Sequence, residues 1–339
     1  MRSRITIPVI GIHLLLLFAL QANAQEADYT QYYLNLAGTN PGFTGMEDYL
    51  DLKAGFRQGW NDFNTKNNNF YFSAYSSLNK SNRSVASNNT LRTSNPSAYK
   101  EIQSYKKLRR KHGVGGMITN RNFGPYKSLT INANYAYHLP VSQKLNLSFG
   151  TRLTYGSQTI NFTGYTVRDE INDAFYQQLI RANQGTKNSF LVDFGSALYS
   201  QRFYLGLSTT NFIYNKISGD NILQETMDTR YQLQTAFNMA LGSNLTLNPG
   251  MKITYSKDYD LLWAINARVR FKELVYIGSA FDNQKKLSLL FGLTLKNRLS
   301  VNYSYDQYLS ELKDFNVTMH EFVLGVVVFK KYAAKSKFW

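Results

Sequence analysis

Toward the end of the chain, hydrophobic and polar positions alternate. Between Lys285 and Lys330, Leu287, Leu289, Phe291, Leu293 and Leu295 share one parity. Leu299, Val301, Tyr303 and Tyr305 form the next such set, and Phe322, Leu324, Val326 and Val328 a third. The other parity holds Ser288, Gly292, Thr294, Ser300, Asn302, Ser304, Glu321 and Gly325, with Leu290 as an exception. A period of two sends successive side chains to opposite faces of a strand. Little more than Lys296-Asn297 separates the first two runs, which is short enough for an antiparallel hairpin.

The same pattern recurs upstream. Runs at Asp48–Trp60, Asn68–Leu78, Lys111–Asn120, Tyr126–Leu139 and Gln143–Ser157 are followed by Lys187–Tyr199, Arg202–Phe212, Arg230–Leu241 and Asn244–Lys257. Asp260–Phe271, Glu273–Asp282, Lys285–Leu295, Arg298–Asp306 and Met319–Lys330 complete the set. This predicts an all-β chain of about 14 antiparallel strands, each about as long as a tilted transmembrane strand. A soluble sandwich shows the same alternation, with charges such as Arg152, Asp193 and Lys252 on its wet outer face. In a membrane barrel those charges face the lumen instead, because lipid excludes them.

Connection lengths separate the two readings. Pro140-Val141-Ser142, Ser200-Gln201, Gly242-Ser243, Lys272 and Lys296-Asn297 are tight turns, whereas Gln158–Thr186, Ile213–Thr229 and Gln307–Thr318 are long. Tight periplasmic turns and long outer loops are the habit of outer-membrane barrels. Closure also removes the edges that an open sheet of this size would expose. A transmembrane outer-membrane β-barrel over residues 48–331 is the reading, followed by a tail at 332–339.

The start of the chain supplies an address. Arg2 and Arg4 precede an apolar run from Ile5 to Leu20, and Ala22-Asn23-Ala24 follows. Those are the parts of a cleavable signal peptide, residues 1–24. Residues 25–47 break the alternation and form an N-terminal periplasmic segment, with a turn at Asn40-Pro41-Gly42. Such a segment packs at the barrel's periplasmic mouth or inside it, or serves as a plug or ring contact. The formal net charge is +16, or +14 without Arg2 and Arg4. An exported chain does not meet nucleic acid, so an anionic envelope surface or acidic partner fits that charge better. The abundance of Tyr and Phe, 25 and 22, suits strands and membrane-interface girdles.

One connection departs from the short-turn rule. Residues 80–110 form a Ser/Asn-rich basic insertion on the periplasmic side, ending in Lys106, Lys107, Arg109 and Arg110. Ile102, Tyr105 and Leu108 recur at a spacing of three, so Ala98–Arg110 fits a short amphipathic helix. It reads as a solvated insertion or as a docking arm for an acidic partner. Chemistry is absent from the sequence. His13, His112, His138 and His320 are isolated, and no catalytic, cofactor or metal motif is present. The run Gly113-Val114-Gly115-Gly116 leads into a strand and so lacks the helix N-terminus of a phosphate loop.

Three motifs then appear in order. The first is Gln31-Tyr32-Tyr33-Leu34-Asn35 with Thr39-Asn40-Pro41-Gly42-Phe43-Thr44-Gly45, followed by Arg57, Gln58 and Trp60. The second is Asn122-Phe123-Gly124-Pro125 before a strand ending in Tyr135-Ala136-Tyr137. The third is Tyr303-Ser304-Tyr305-Asp306, Leu309-Ser310-Glu311-Leu312 and His320-Glu321-Phe322. Together they resemble the PorP/SprF family, outer-membrane proteins of the type IX secretion system of Bacteroidetes. The usual family wording, QYMFN and INPAYAG, is altered here at Leu34, Gly42, Phe43 and Thr44, and the 80–110 connection is longer than usual.

The resemblance implies a non-enzymatic barrel without cofactors that supports secretion, or gliding, or the surface retention of a secreted adhesin. Its implied partners are outer-membrane lipid, a periplasmic ring lipoprotein, a peptidoglycan-binding subunit and the adhesin's C-terminal domain. Partner-contact candidates are Gln31, Tyr32, Asn35, Asn40, Pro41, Gly45, Tyr303, Tyr305, Asp306, Ser310, His320 and Glu321. A passive outer-membrane channel or hydrophobic-solute transporter is the competing reading of the same barrel.

Overall fold

The computed structural model describes residues 29–60, 67–78, 110–142, 145–161, 171–173, 177, 185–219, 228–257, 261–272, 274–295, 298–309 and 318–328. Its strands are β1 (Leu50–Trp60), β2 (Asn67–Ser77), β3 (Lys111–Phe123), β4 (Tyr126–Pro140) and β5 (Asn146–Ile160). Then come β6 (Gly185–Tyr199), β7 (Phe203–Gly219), β8 (Arg230–Phe237), β9 (Met239–Ala240) and β10 (Leu245–Tyr255). The last five are β11 (Leu262–Phe271), β12 (Val275–Asp282), β13 (Lys286–Leu295), β14 (Leu299–Tyr308) and β15 (Thr318–Val328). Every neighbour is antiparallel, and β1 closes on β15 from Leu50↔Val328 to Trp60↔Thr318.

The barrel has fourteen staves, because β8 and β9 are two pieces of one. They are separated at Asn238, across from Asn248-Pro249 of β10. Proline has no N–H to give to a ladder, so pairing lapses there. In β7 the backbone bulges at Asn211, which has a positive φ of 57°. The Asp193 carboxylate accepts the Asn211 N–H at 2.7 Å and so holds the bulge in place.

The two parities separate as a membrane barrel requires. Phe72, Leu153, Ile277, Leu289, Phe322 and Leu324 are exposed on the outside, in the position of lipid contacts. Arg57, Asn134, Arg152, Asp193, Asn302 and Glu321 are buried on the inside. No described helix is long and apolar enough to cross a membrane; strands do the crossing. Leu290 faces inward like its polar neighbours, yet it is not misplaced. It packs with Tyr32, Tyr33, Leu34, Tyr71, Tyr276 and Val323, three of which come from the segment ahead of β1.

That segment fills the lumen. Two 3-10 turns, Tyr32–Leu34 and Pro41–Phe43, flank a single helical turn, Leu36–Thr39. Residues 30–37 and 40–46 are buried throughout. Thr30 meets β14 and β15 near the ends that carry the long loop 309–317. Met46 meets Lys111 at the opposite end, where the tight turns at 141–145, 200–202 and 241–244 lie. By barrel habit the tight-turn end is periplasmic. The chain therefore descends through the barrel from the outer half before β1 begins. Residues 30–37 and 40–46 lie inside the barrel, where the wall's buried polar groups find their partners. The 80–110 insertion lies outside the described residues except for Arg110, which is exposed at the tight-turn end.

Candidate functional site

The plug's upper end is held by charge. Glu321 of β15 is fully buried, and its two carboxylate oxygens accept the backbone N–H groups of Thr30 at 2.9 Å and Gln31 at 3.2 Å. The Gln31 side-chain amide donates back to the Glu321 carbonyl at 3.2 Å. Asp306 of β14, also fully buried, accepts from the Thr30 hydroxyl at 2.6 Å and from the Arg57 guanidinium of β1 at 3.1 Å. Hydrogen bonds to ionised groups are roughly twice as strong as neutral ones. In a buried site their loss leaves a charge without compensation. Thr30 and Gln31 thus complete a charged cluster spread over three strands.

The next residues lay aromatic faces on cations. The Arg268 guanidinium of β11 sits 3.6 Å from the centre of the Tyr33 ring. The Lys252 ammonium of β10 is 5.1 Å from that of Tyr32, whose hydroxyl accepts from Asn266 at 2.9 Å. Such contacts gain strength when water is excluded. Burial pushes the Tyr29 hydroxyl up to about 12 and lifts Tyr32 and Tyr33 well above the ordinary phenol range, so all three stay neutral. At the long-loop end, a cleft of about 610 Å³ opens between Tyr29, Thr30 and Tyr32 on the plug and Lys252, Asp282 and Lys286 on the wall.

The middle and lower parts are held by shape and by backbone polarity. Asn35 donates to Ser73 at 3.2 Å, and the Gly38 carbonyl accepts from Arg152 at 2.6 Å. Arg152 simultaneously pairs with Asp193 at 2.6 Å, so this mid-strand cation is satisfied by wall and plug together. The Asn40 side chain accepts from Gly42 N–H at 2.8 Å, fixing the turn, and donates to the carbonyls of Ser196 and Leu207 on adjacent strands β6 and β7. Ser148 donates to the Gly42 carbonyl at 2.6 Å. Around that turn several wall positions are glycines. A Cβ built on Gly195 would lie 2.0 Å from Asn40 Oδ1, on Gly150 2.3 Å from the Pro41 carbonyl oxygen, and on Gly113 1.9 Å from that of Thr44. Gly45 adopts a φ of 67°, open to glycine at little cost, directly against Gly113.

The structure divides the sequence-derived candidates into two groups. Gln31, Tyr32, Asn35, Asn40, Pro41 and Gly45 belong to the plug, and Asp306 and Glu321 are its wall partners. Tyr303, Tyr305 and His320 face outward instead. The Tyr303 hydroxyl lies 2.8 Å from His320 Nδ1, and the rings gather with Phe322 into an aromatic patch near the long-loop end. That is girdle position and chemistry. Ser310, Lys106, Lys107 and Arg109 fall outside the described residues. Residues that site selection from the sequence omitted are Thr30, Arg57, Asn134, His138, Arg268 and the wall glycines. A partial signal existed: Arg57, Asn134 and His138 all share the lumenal parity of their strands.

No curated protein matches this chain. Among solved structures, the CymD monoaromatic hydrocarbon channel shares 10% identity at a TM-score of 0.50, covering 90% of this chain and 94% of that one. The toluene transporter TbuX of Ralstonia pickettii shares 8% at a TM-score of 0.47, with coverage of 85% and 91%. The outer membrane protein Omp33 of Acinetobacter baumannii shares 8% at 0.45, with coverage of 84% and 100%. At such identities the likeness is one of fold. The family described as "Type IX secretion system membrane protein PorP/SprF" matches residues 21–326, nearly the whole chain from the first plug motif to β15. The chain therefore belongs to the PorP/SprF family of type IX secretion system membrane proteins.

Proposed function

We propose that this protein is a closed, non-enzymatic outer-membrane component of type IX secretion that acts by binding other proteins rather than by conducting solutes. One observation carries the reading: the plug is bonded to the wall on nearly every side, from β14 and β15 round to β6 and β7. A passage for passive diffusion would be lined by free polar groups. Here Arg57, Arg152, Asp193, Asp306 and Glu321 are all engaged. The same engagement leaves none of these titratable groups available for catalysis.

The faces left for partners are the membrane ends. The periplasmic end, where the basic 80–110 insertion begins and ends, suits the ring lipoprotein or the peptidoglycan-binding subunit. The loop-bearing outer end suits a secreted adhesin's C-terminal domain, and gliding belongs to the same reading where the adhesin is a motility protein. The test pairs two measurements on the intact protein. Deletion of the gene should abolish secretion or surface retention of a partner protein, and the purified barrel in planar bilayers should give no steady conductance. Steady conductance together with normal secretion would instead identify a solute channel.

A further inference from the structure

Arg268 departs from the engagement seen elsewhere in the lumen. It stands on the lumenal face of β11 with 8% of its surface exposed. Among the described residues its guanidinium makes no hydrogen bond and no ion pair. Its contact is the Tyr33 ring, whose centre lies 3.6 Å from the guanidinium carbon. Stacking of that kind uses the flat face of the group and leaves its five N–H donors directed outward in the plane. The Nε donor is sealed without a partner, while the two terminal nitrogens keep some accessible surface. The hydroxyls of Tyr32, Tyr204 and Tyr276 lie within electrostatic reach of Arg268, but an ordinary phenol carries no charge to balance it.

The surrounding wall supplies no anion either. A Cβ on Gly278 of β12 would lie 2.7 Å from Arg268 Cγ, so the arginine stem crosses the neighbouring strand where a side chain is missing. Arg270 follows on the same face, half-buried, one residue before Phe271 ends β11 at a tight turn. The cross-strand neighbours of the two arginines are Asn248 and Thr246 on β10, and Gly278 and Tyr276 on β12. None is an acid. Arg57 and Arg152, by contrast, each meet an aspartate. A buried cation without a counter-charge is costly, and a second cation on the same face adds repulsion.

We propose that Arg268 and Arg270 form an oxyanion site at the tight-turn mouth of the lumen, which takes phosphate or a carboxylate. The coplanar donors of Arg268 match two oxygens of such a group, and the Tyr33 ring behind the fork fixes its plane. Arg270, nearer the mouth, draws the anion inward. The Thr246 hydroxyl, across from Arg270, is a further donor. Because Tyr33 belongs to the plug and Arg268 to the wall, a bound anion steadies the stack that joins them. The source is either free phosphate or a carboxylate on a protein that docks at this end.

Denaturant unfolding of the purified full-length barrel in detergent tests the site, in chloride, phosphate and acetate buffers of matched ionic strength. The midpoint should rise in an oxyanion over chloride, and the rise should saturate. A rise in phosphate identifies the free ion, and a rise in acetate alone identifies a protein carboxylate. In Arg268→Gln the rise should be at least fivefold smaller. Arg268→Lys keeps the charge but not the fork and should lose as much, so it carries the test if the glutamine variant fails to fold. Lys272→Gln, which removes an exposed cation from the adjacent turn, should keep the full rise. No rise in either oxyanion, a rise that survives in both Arg268 variants, or an equal loss in Lys272→Gln overturns the proposal.

Discussion

The two ends of the plug are held by different physics. Thr30 to Tyr33 is fixed by ions: Glu321, Asp306 and Arg57 on one side, Lys252 and Arg268 on the other. Asn40 to Gly45 is fixed by fit, with plug backbone pressed onto Gly113, Gly150 and Gly195 and hydrogen bonds running to wall carbonyls and side chains. An ionic hold depends on each partner, because removing one charge leaves the other buried and uncompensated. A steric hold does not, since nothing short of moving the strands opens it. The plug thus has a steric anchor toward the tight-turn end and an ionic latch toward the long-loop end.

The comparison breaks most visibly at the latch. Arg57→Met removes the cation paired with Asp306, and should destabilise the folded barrel by about 3–5 kcal/mol, as broken buried ion pairs do. Denaturant unfolding in detergent would measure it, and adding Asp306→Leu should recover a large part. If Arg57→Met alone unfolds like the parent protein, the latch contributes no stability. At the anchor, Gly195→Val drives a side chain into Asn40 and should cost about 1–3 kcal/mol through overpacking. Unlike the latch variant, it should not be recovered by Asp306→Leu. Recovery of both variants by that change would erase the distinction between the ends.

The third prediction concerns topology rather than stability. Tyr29→Cys should react with a membrane-impermeant maleimide applied to intact cells, because Tyr29 lines the cleft at the long-loop end. Glu47→Cys, in a cleft at the opposite end, should react only after the outer membrane is opened. The reverse pattern would invert the barrel.

Much of this was legible before any coordinates. The strand count and the division of Arg152, Asp193 and Lys252 from the lipid face follow from parity alone, since parity is a local property of the backbone. Parity also assigned Glu321 to the face opposite Phe322. It grouped Tyr303 and Tyr305 with Val301 on the hydrophobic face, but it did not reveal that Asp306, beside them in sequence, is a plug contact. Strand neighbours differ in environment by one step, and the motif that unites them hides that step. The Asn40-Pro41-Gly42 turn was readable as a turn, but not as one pressed against the wall.

The sequence by itself determined the barrel: alternation and turn spacing leave few other ways to bury these faces. Only the tertiary structure decided what occupies the lumen. Gly113, Gly150 and Gly195 are far apart in the chain, as are Arg57, Asp306 and Glu321, and closure of the sheet brings each set together. Leu290 shows the reason in one residue. Its exception to the pattern is unexplained within its own strand and is accounted for once Tyr32, Tyr33 and Leu34 lie against it. Local periodicity assigns a side chain to a face; what that face meets is set by chain folded from elsewhere.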